Sequence, residues 1–290
     1  MLEVLVLGAN GQLGSDLVKV FKKNNINFKG FTRNDFDVLN DDVEILKKFP
    51  TKYIINCIAT TDVDGAEVKS ELAFKINADF AYKLARFCHE NDIILFHIST
   101  DYVFDGTNPF KYNEKSHPKP LNIYGLSKYA GEIAVENYHD KIFIFRVAAL
   151  FGISGASGKG GNFVNTMIRL GCERDEVSVI ADQITCPTAT LDIARCICHF
   201  IQNKIVDFGI YHCVSNNSCS WFEFTEEIFR LSGIEVNKVK KASFNDYPFK
   251  AKRPQYGILH TTRLSQYYKM PTWQVALEEY IKNKGACSIG

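Results

Sequence analysis

No charge of one sign dominates this sequence. Its 290 residues hold 34 Lys+Arg against 33 Asp+Glu, a formal net charge of +1, so no global field points to nucleic acid or to an anionic membrane surface. No apolar run reaches the length that spans a bilayer, and the opening Met-Leu-Glu carries no basic n-region. The nine cysteines are odd in number and lack the spacing of a disulfide framework. Cys196 and Cys198 are too close for a Cys-x-x-Cys motif, and no His partners them at finger spacing. All nine read as reduced thiols, and the chain is expected in the cytoplasm. Asp62 and Asp64 have no third ligand beside them, so they read as loop caps and no metal is expected. Internal repeats and low-complexity segments are absent. What remains is an ordinary globular composition, 46% hydrophobic and 23% charged, long enough for one large domain or two modest ones.

The N-terminus is more specific. Met1-Leu2-Glu3-Val4-Leu5-Val6-Leu7 is a short apolar run that fits a buried parallel strand. Gly8-Ala9-Asn10-Gly11-Gln12-Leu13-Gly14 follows at once, and Leu13, Leu17, Val18, Val20 and Phe21 then recur at helical spacing. Strand, glycine turn and helix in that order form the context of a dinucleotide site. Gly8 permits the tight turn. Gly11 lets the backbone approach a pyrophosphate, whose charge a helix N-terminus favours. Gly14 lets helix and strand pack closely.

Strand-like and helical runs alternate through the first half. Strands are expected near 27–32, 53–58, 93–98 and 142–147, with a short helix at 43–49, a long one at 69–91 and another from Tyr124 to about 137. This alternation predicts an α/β fold, a Rossmann-type doubly wound parallel sheet with a smaller substrate-binding lobe. Gly8, Ala59, Thr100 and Ala148 fall just past strand ends, where the crevice of such a sheet lies. Five glycines in 152–161 read as a loop. Beyond it, helices are expected at 163–171, 187–202, 220–232 and 272–282, and a late strand at 209–214. Ser220 and Glu223 have capping-box spacing. Residues 1–147 are expected to form the dinucleotide-binding domain, completed by parts of 173–214 and 246–263. Residues 148–290 form mainly the substrate-binding lobe, with the boundary crossed more than once.

Tyr124 and Lys128 stand four apart, on one face of a helix, downstream of Ser99-Thr100. An ammonium beside a phenol favours the phenolate, so the Tyr124 pKa is expected to fall toward working pH. Such a Tyr donates a proton to a carbonyl oxygen or accepts one from a hydroxyl, and Thr100 bonds the same oxygen. Thr32-Arg33 at the end of the second strand favours a 2′-phosphate, hence NADPH, with NADH as the other option. Arg253, before a rigid Pro, suits phosphate oxygens. His97, Trp221 and Trp273 read as core residues. Asn77 stands either near the site or as a packed polar group.

Longer motifs carry a resemblance: Gly8 to Gly14 as above, Thr61-Asp62-Val63-Asp64-Gly65-Ala66-Glu67, Ile76-Asn77-Ala78, Ser99-Thr100-Asp101-Tyr102-Val103-Phe104-Asp105-Gly106, and Pro120-Leu121-Asn122-Ile123-Tyr124-Gly125 leading to Lys128-Tyr129-Ala130-Gly131-Glu132. Gly161-Asn162-Phe163-Val164, Asp182-Gln183, Pro187-Thr188, Ser220-Trp221 and Arg253-Pro254 extend it along the chain. The sequence resembles the extended short-chain dehydrogenase/reductases, and within them it is most similar to the dTDP-4-dehydrorhamnose reductase family. That resemblance implies reduction of the 4-keto group of a nucleotide-linked 6-deoxy sugar, with Thr100, Tyr124 and Lys128 as catalytic triad. It implies cofactor contacts at Gly8, Asn10, Gly11, Gln12, Leu13, Gly14, Arg33, Asp37, Val38, Ala59 and Thr60, besides Tyr124 and Lys128. Substrate contacts are implied at Thr61, Thr100, Tyr102, Ala149, Asn162 and Arg253. Two positions depart from the family pattern: Ala149 replaces a frequent Trp, leaving room near the sugar, and Tyr256-Gly257-Ile258-Leu259 replaces a Ser before a Leu. A nucleotide-sugar substrate is expected, with no nucleic-acid or membrane partner and a monomer or homodimer. The alternatives are an epimerase or dehydratase with bound NAD, or a non-catalytic NADP-binding subunit resembling the regulatory subunit of methionine adenosyltransferase. Tyr102 stands where a dehydratase carries Glu, which argues against elimination.

Overall fold

A computed structural model describes residues 2–154 and 161–284; most of the expected glycine loop, 155–160, lies outside the described residues, as does Cys287. The fold is built on β1 (Val4–Leu7), whose four side chains are all buried. Continuous burial of a Val/Leu run is what a strand covered on both faces requires. Next come α1 (Gln12–Lys23), β2 (Phe28–Phe31), β3 (Tyr53–Asn56), β4 (Ile94–Thr100) and β5 (Ile142–Val147). A later strand, Gly209–His212, joins the same sheet, whose order is β2, β1, β3, β4, β5 and Gly209–His212, every pair parallel. The strand order reverses at β1, which opens the crevice between β1 and β3 at their carboxyl ends.

Helices cover both faces. One face carries α1 and α7 (Thr190–Gln202), joined in one core with Leu17, Phe21, Ile193 and Ile197. The other carries α4 (Phe80–Glu90) and α5 (Ile123–Tyr138), packed around Ile54, Leu84, Leu95 and Val135. The expected helix at 69–91 is interrupted. It divides into α2 (Val63–Val68), α3 (Ser70–Phe74), a π-turn over Lys75–Asp79 and then α4. Single π-turns recur at functional sites. The 43–49 segment is a 3₁₀ helix, Val43–Lys48.

The second half adds a core of its own. There α6 (Phe163–Glu173), α8 (Trp221–Ser232) and α9 (Trp273–Lys284) surround Phe224, Trp273 and Leu277. Ser220 and Glu223 form the expected capping box, and Gly233 closes α8 in the left-handed conformation. Among the strands here that were not foreseen are Val177–Ile180 and Val239–Ala242, which pair with each other in parallel. Among the described residues no helix is long and apolar enough to cross a membrane.

Candidate active site

The cofactor side begins at the glycine turn. Gly8 ends β1 at φ +79, a left-handed conformation that glycine takes without strain. A Cβ on Gly14 would lie 2.1 Å from the Gly8 carbonyl oxygen, so only glycine lets α1 approach the turn this closely. No side chain caps the N-terminus of α1 at Gly11, an arrangement that suits an anion. Gly11, Gln12 and Leu13 line a cleft of about 160 Å³, and Ala59, Tyr124 and Lys128 line its far side. These features fit a dinucleotide. Asn77, buried in the π-turn, bonds the Thr60 N–H and carbonyl at 3.0 and 3.2 Å and donates to Ser127 Oγ at 3.0 Å. It thereby fixes the chain beside Ala59. Arg33 is exposed beyond β2 with Nε 3.6 Å from Asp37 Oδ2. Asp37 also accepts from the Leu39 N–H and from Asn40, which keeps its carboxyl below the usual range. Val38 packs on the core beside it.

The expected triad is assembled. Thr100 ends β4, while Tyr124 and Lys128 project from the first turns of α5, whose N-cap Asn122 accepts from the Gly125 N–H at 2.8 Å. All three are buried. Lys128 Nζ donates to the Ile98 carbonyl at 2.6 Å. Its pKa is lowered to about 8 by burial, against the pull of Glu132. The expectation for Tyr124 is corrected: its phenol is pushed up to about 12, because burial outweighs the nearby Thr100 hydroxyl, which favours the phenolate. Behind the triad, Glu132 accepts from Arg146 at 2.9 and 2.6 Å and from Ser99 at 2.5 Å, tying α5 to β4 and β5 in a fully buried network.

A second cavity, about 520 Å³, opens on the other side of Tyr124. Thr61, Thr100, Tyr102, Ala149 and Asn162 line it together. Tyr102 packs edge-on against Tyr124, centroids 5.6 Å apart. Ala149 sits at φ +44. Asn162 is buried and multiply bonded: it caps α6 and donates to the Gly152 carbonyl and the Tyr280 hydroxyl. Arg253, the expected phosphate ligand, is engaged with a carboxylate and a ring. Its guanidinium holds Asp64 at 2.7 and 3.1 Å and lies over the Phe249 ring, 3.9 Å from the centroid. Asp64 is therefore an ion-pair partner and not a loop cap, whereas Asp62 does cap α2.

Sequence reasoning missed several lining residues. Trp221 is not simply core: its ring faces the cavity and its Nε1 donates to Gln183 Oε1 at 3.1 Å. Gln183, Thr166 and Asp101 line the same space. The motif pairs Asp182-Gln183 and Ser220-Trp221 marked two of them without assigning a role. His97 is a core histidine, with Nδ1 3.4 Å from Asn56 Nδ2 and burial lowering its pKa. Eight described cysteines are free.

The family model described as RmlD substrate binding domain matches residues 2–285. The dTDP-4-dehydrorhamnose reductase of Escherichia coli (strain K12) is 33% identical over 97% of this chain and 97% of its own length. The dTDP-4-keto-6-deoxy-D-glucose reductase of Streptomyces niveus is 35% identical over 88% of this chain and 87% of its own. Among solved structures, the dTDP-4-dehydrorhamnose reductase of Bacillus anthracis in complex with NADP matches with a TM-score of 0.90 at 40% identity, covering 98% of this chain and 100% of that one.

Proposed function

The chain belongs to the RmlD substrate binding domain family, and on that premise we propose that it reduces the 4-keto group of a nucleotide-linked 6-deoxy sugar at the Thr100–Tyr124–Lys128 centre. It is an NADPH-dependent oxidoreductase of deoxysugar synthesis. One observation carries the assignment of the centre: Tyr124 lines both the glycine-turn cleft and the larger cavity, so a single phenol faces the two ligands.

When bound, NADPH supplies the hydride. Gly8, Asn10, Gly11, Gln12, Leu13 and Gly14 cradle its pyrophosphate, Ala59 and Thr60 flank it, Arg33 takes the 2′-phosphate, and Asp37 and Val38 border the adenine. Tyr124 holds its proton until the C4 oxygen develops charge, as a phenol at about 12 does at neutral pH. Thr100 bonds the same oxygen, and Lys128 brings positive charge to the cleft. Thr61, Tyr102, Ala149 and Asn162 contact the sugar, and Arg253 the diphosphate. Arg253 reaches it only by sharing its guanidinium with Asp64 or leaving it. We assign 1–147 with α7 and the strand Gly209–His212 to the cofactor domain and the rest mainly to the lobe. We assign the chain to the cytoplasm, a reading that the eight free described thiols support.

The test is loss of NADPH absorbance with a panel of 4-keto-6-deoxy sugar nucleotides. Turnover is expected with at least one, and simple ketones are expected to be poor. A small ketone reduced as efficiently as any sugar nucleotide would sink the substrate class.

A further inference from the structure

Residues 251–257 form a strap beside the substrate cavity, which Pro254 and Gly257 line. Arg253 stands in its middle, and side-chain amides hold the backbone on both sides of it. Asn122 Nδ2 donates to the Lys252 carbonyl at 2.7 Å, and Gln183 Nε2 donates to the Pro254 carbonyl at 2.8 Å. The strap is also tied to α2, where Asp64 accepts from the Ala251 N–H at 3.0 Å and from the Arg253 guanidinium. Of these three anchors, Asn122 alone belongs to α5, the helix that carries Tyr124 and Lys128.

Asn122 is buried and uses both ends of its amide. Its Oδ1 caps α5 by accepting from the Gly125 N–H at 2.8 Å, while its Nδ2 holds the strap. These partners fix the orientation of the amide, since an N–H needs its oxygen and a carbonyl needs its nitrogen. A cap alone asks for less. Asp and Ser cap a helix about as well as Asn does, but a carboxylate has no proton to offer a carbonyl. Resting on the reductase reading, with Arg253 as its diphosphate contact, we propose that Asn122 is a positioning residue that sets this diphosphate anchor against the Tyr124 helix. Its oxygen fixes where α5 starts, two residues before Tyr124. Its nitrogen fixes the residue before Arg253.

Asn122 lines neither the cofactor cleft nor the substrate cavity, so it acts only through the groups it holds. In a sugar nucleotide the C4 carbonyl and the diphosphate are joined through one hexose ring, and neither end can be adjusted without the other. Binding at the diphosphate helps at C4 only when the two contacts stand at the matching span. Asp64 and Gln183 hold the strap from α2 and from the lobe. The Asn122 amide is the anchor that refers Arg253 directly to the start of the catalytic helix.

Asn122→Asp keeps the cap and removes the bond to Lys252. With the keto-sugar nucleotide that the wild type reduces, its KM is expected to rise about tenfold, the effect of one buried hydrogen bond, while kcat falls less. NADPH affinity by fluorescence titration should not move. Asn122→Ala loses the cap as well, so its kcat and melting temperature should both fall below those of Asn122→Asp. The coupling itself is read in a double variant. With Arg253→Ala in place, Asn122→Asp should change kcat/KM by less than about threefold, because the two residues act on one contact. If Asn122→Asp does not fold, Asn122→Ser, which caps without a charge, takes its place in the same cycle. Wild-type kinetics in the capping variant, or a further loss of about tenfold in the double variant, would show that Asn122 only caps α5 and would overturn the coupling alone. A matching loss of NADPH affinity would do the same, since α5 would then have shifted as a whole. An Arg253→Ala variant with unmoved KM removes the diphosphate contact and the coupling with it. A wild type that oxidises NADPH with no keto-sugar nucleotide overturns the reductase reading and the coupling together.

Discussion

Tyr124→Phe removes a single oxygen from the junction of the two cavities. Turnover is expected to fall by a factor of about 10² to 10⁴, the usual loss for a general acid, with NADPH affinity measured by fluorescence titration nearly unchanged. Arg33→Ala is the complementary test on the cofactor side. A charged hydrogen bond is worth about 1.5–3 kcal/mol, so the NADPH dissociation constant should rise about tenfold or more while that of NADH hardly moves. Equal losses would mean that Arg33, which is exposed and near Asp37, does not read the 2′-phosphate. At this scale the sequence was informative where chemistry is local. The glycines of one turn and two residues one helical turn apart declare themselves by spacing. Gln183 and Trp221 did not, because they meet only through a hydrogen bond between distant segments. The direction of the Tyr124 shift was misread for a related reason: burial is a property of the folded surroundings, and no neighbouring residue announces it.

Elements impose stricter conditions than single side chains. Gly14→Ala puts a methyl 2.1 Å from the Gly8 carbonyl, and backbone on both sides cannot yield. Overpacking of this kind costs about 1–3 kcal/mol or more, so a lower melting temperature and loss of NADPH binding are expected together; a variant that melts and binds like the wild type would show that α1 can move away. Arg253→Ala cuts the tie between α2 and the lobe. A remote phosphate contact supplies mainly uniform binding, so KM should rise more than kcat falls, and steady-state kinetics with an unmoved KM would remove Arg253 from the substrate. Long periodic helices and apolar strands were legible, but the π-turn at Lys75–Asp79 was not. Its flanks keep helical periodicity, and the Asn77 within it bonds Thr60, a contact between segments that spacing does not announce. Strands Val177–Ile180 and Val239–Ala242 were missed because four residues, with one exposed position in the first and two in the second, carry little pattern.

For the molecule as a whole, two carboxyls bias stability in opposite directions with pH. The Arg253 bond holds the Asp64 carboxyl down near 2, below its ordinary 3.8. Its contribution is present above about 3.8 and is lost as pH falls through 2. The melting deficit of Asp64→Asn relative to wild type should therefore shrink between pH 6 and pH 2. Burial holds Asp101 up near 7, so the folded state binds the extra proton between 3.8 and 7, and the cost of ionising it is complete above 7. Asp101→Asn should gain melting temperature over wild type at pH 8 and little at pH 3.5. A difference that does not change with pH would contradict the burial argument for either residue.

The strand Gly209–His212 is the last to be made of the six and, among the described residues, the only partner on that side of β5. During vectorial synthesis on a ribosome, Ile142-Phe143-Ile144-Phe145 emerges well before it, with one row of backbone amides and carbonyls unpaired and aromatic side chains uncovered. The nascent chain stays adhesive until the lobe has been threaded and the closing strand delivered. A fragment ending after β5 carries the glycine turn and the triad complete, yet it is poised to stack edge to edge with its own copies.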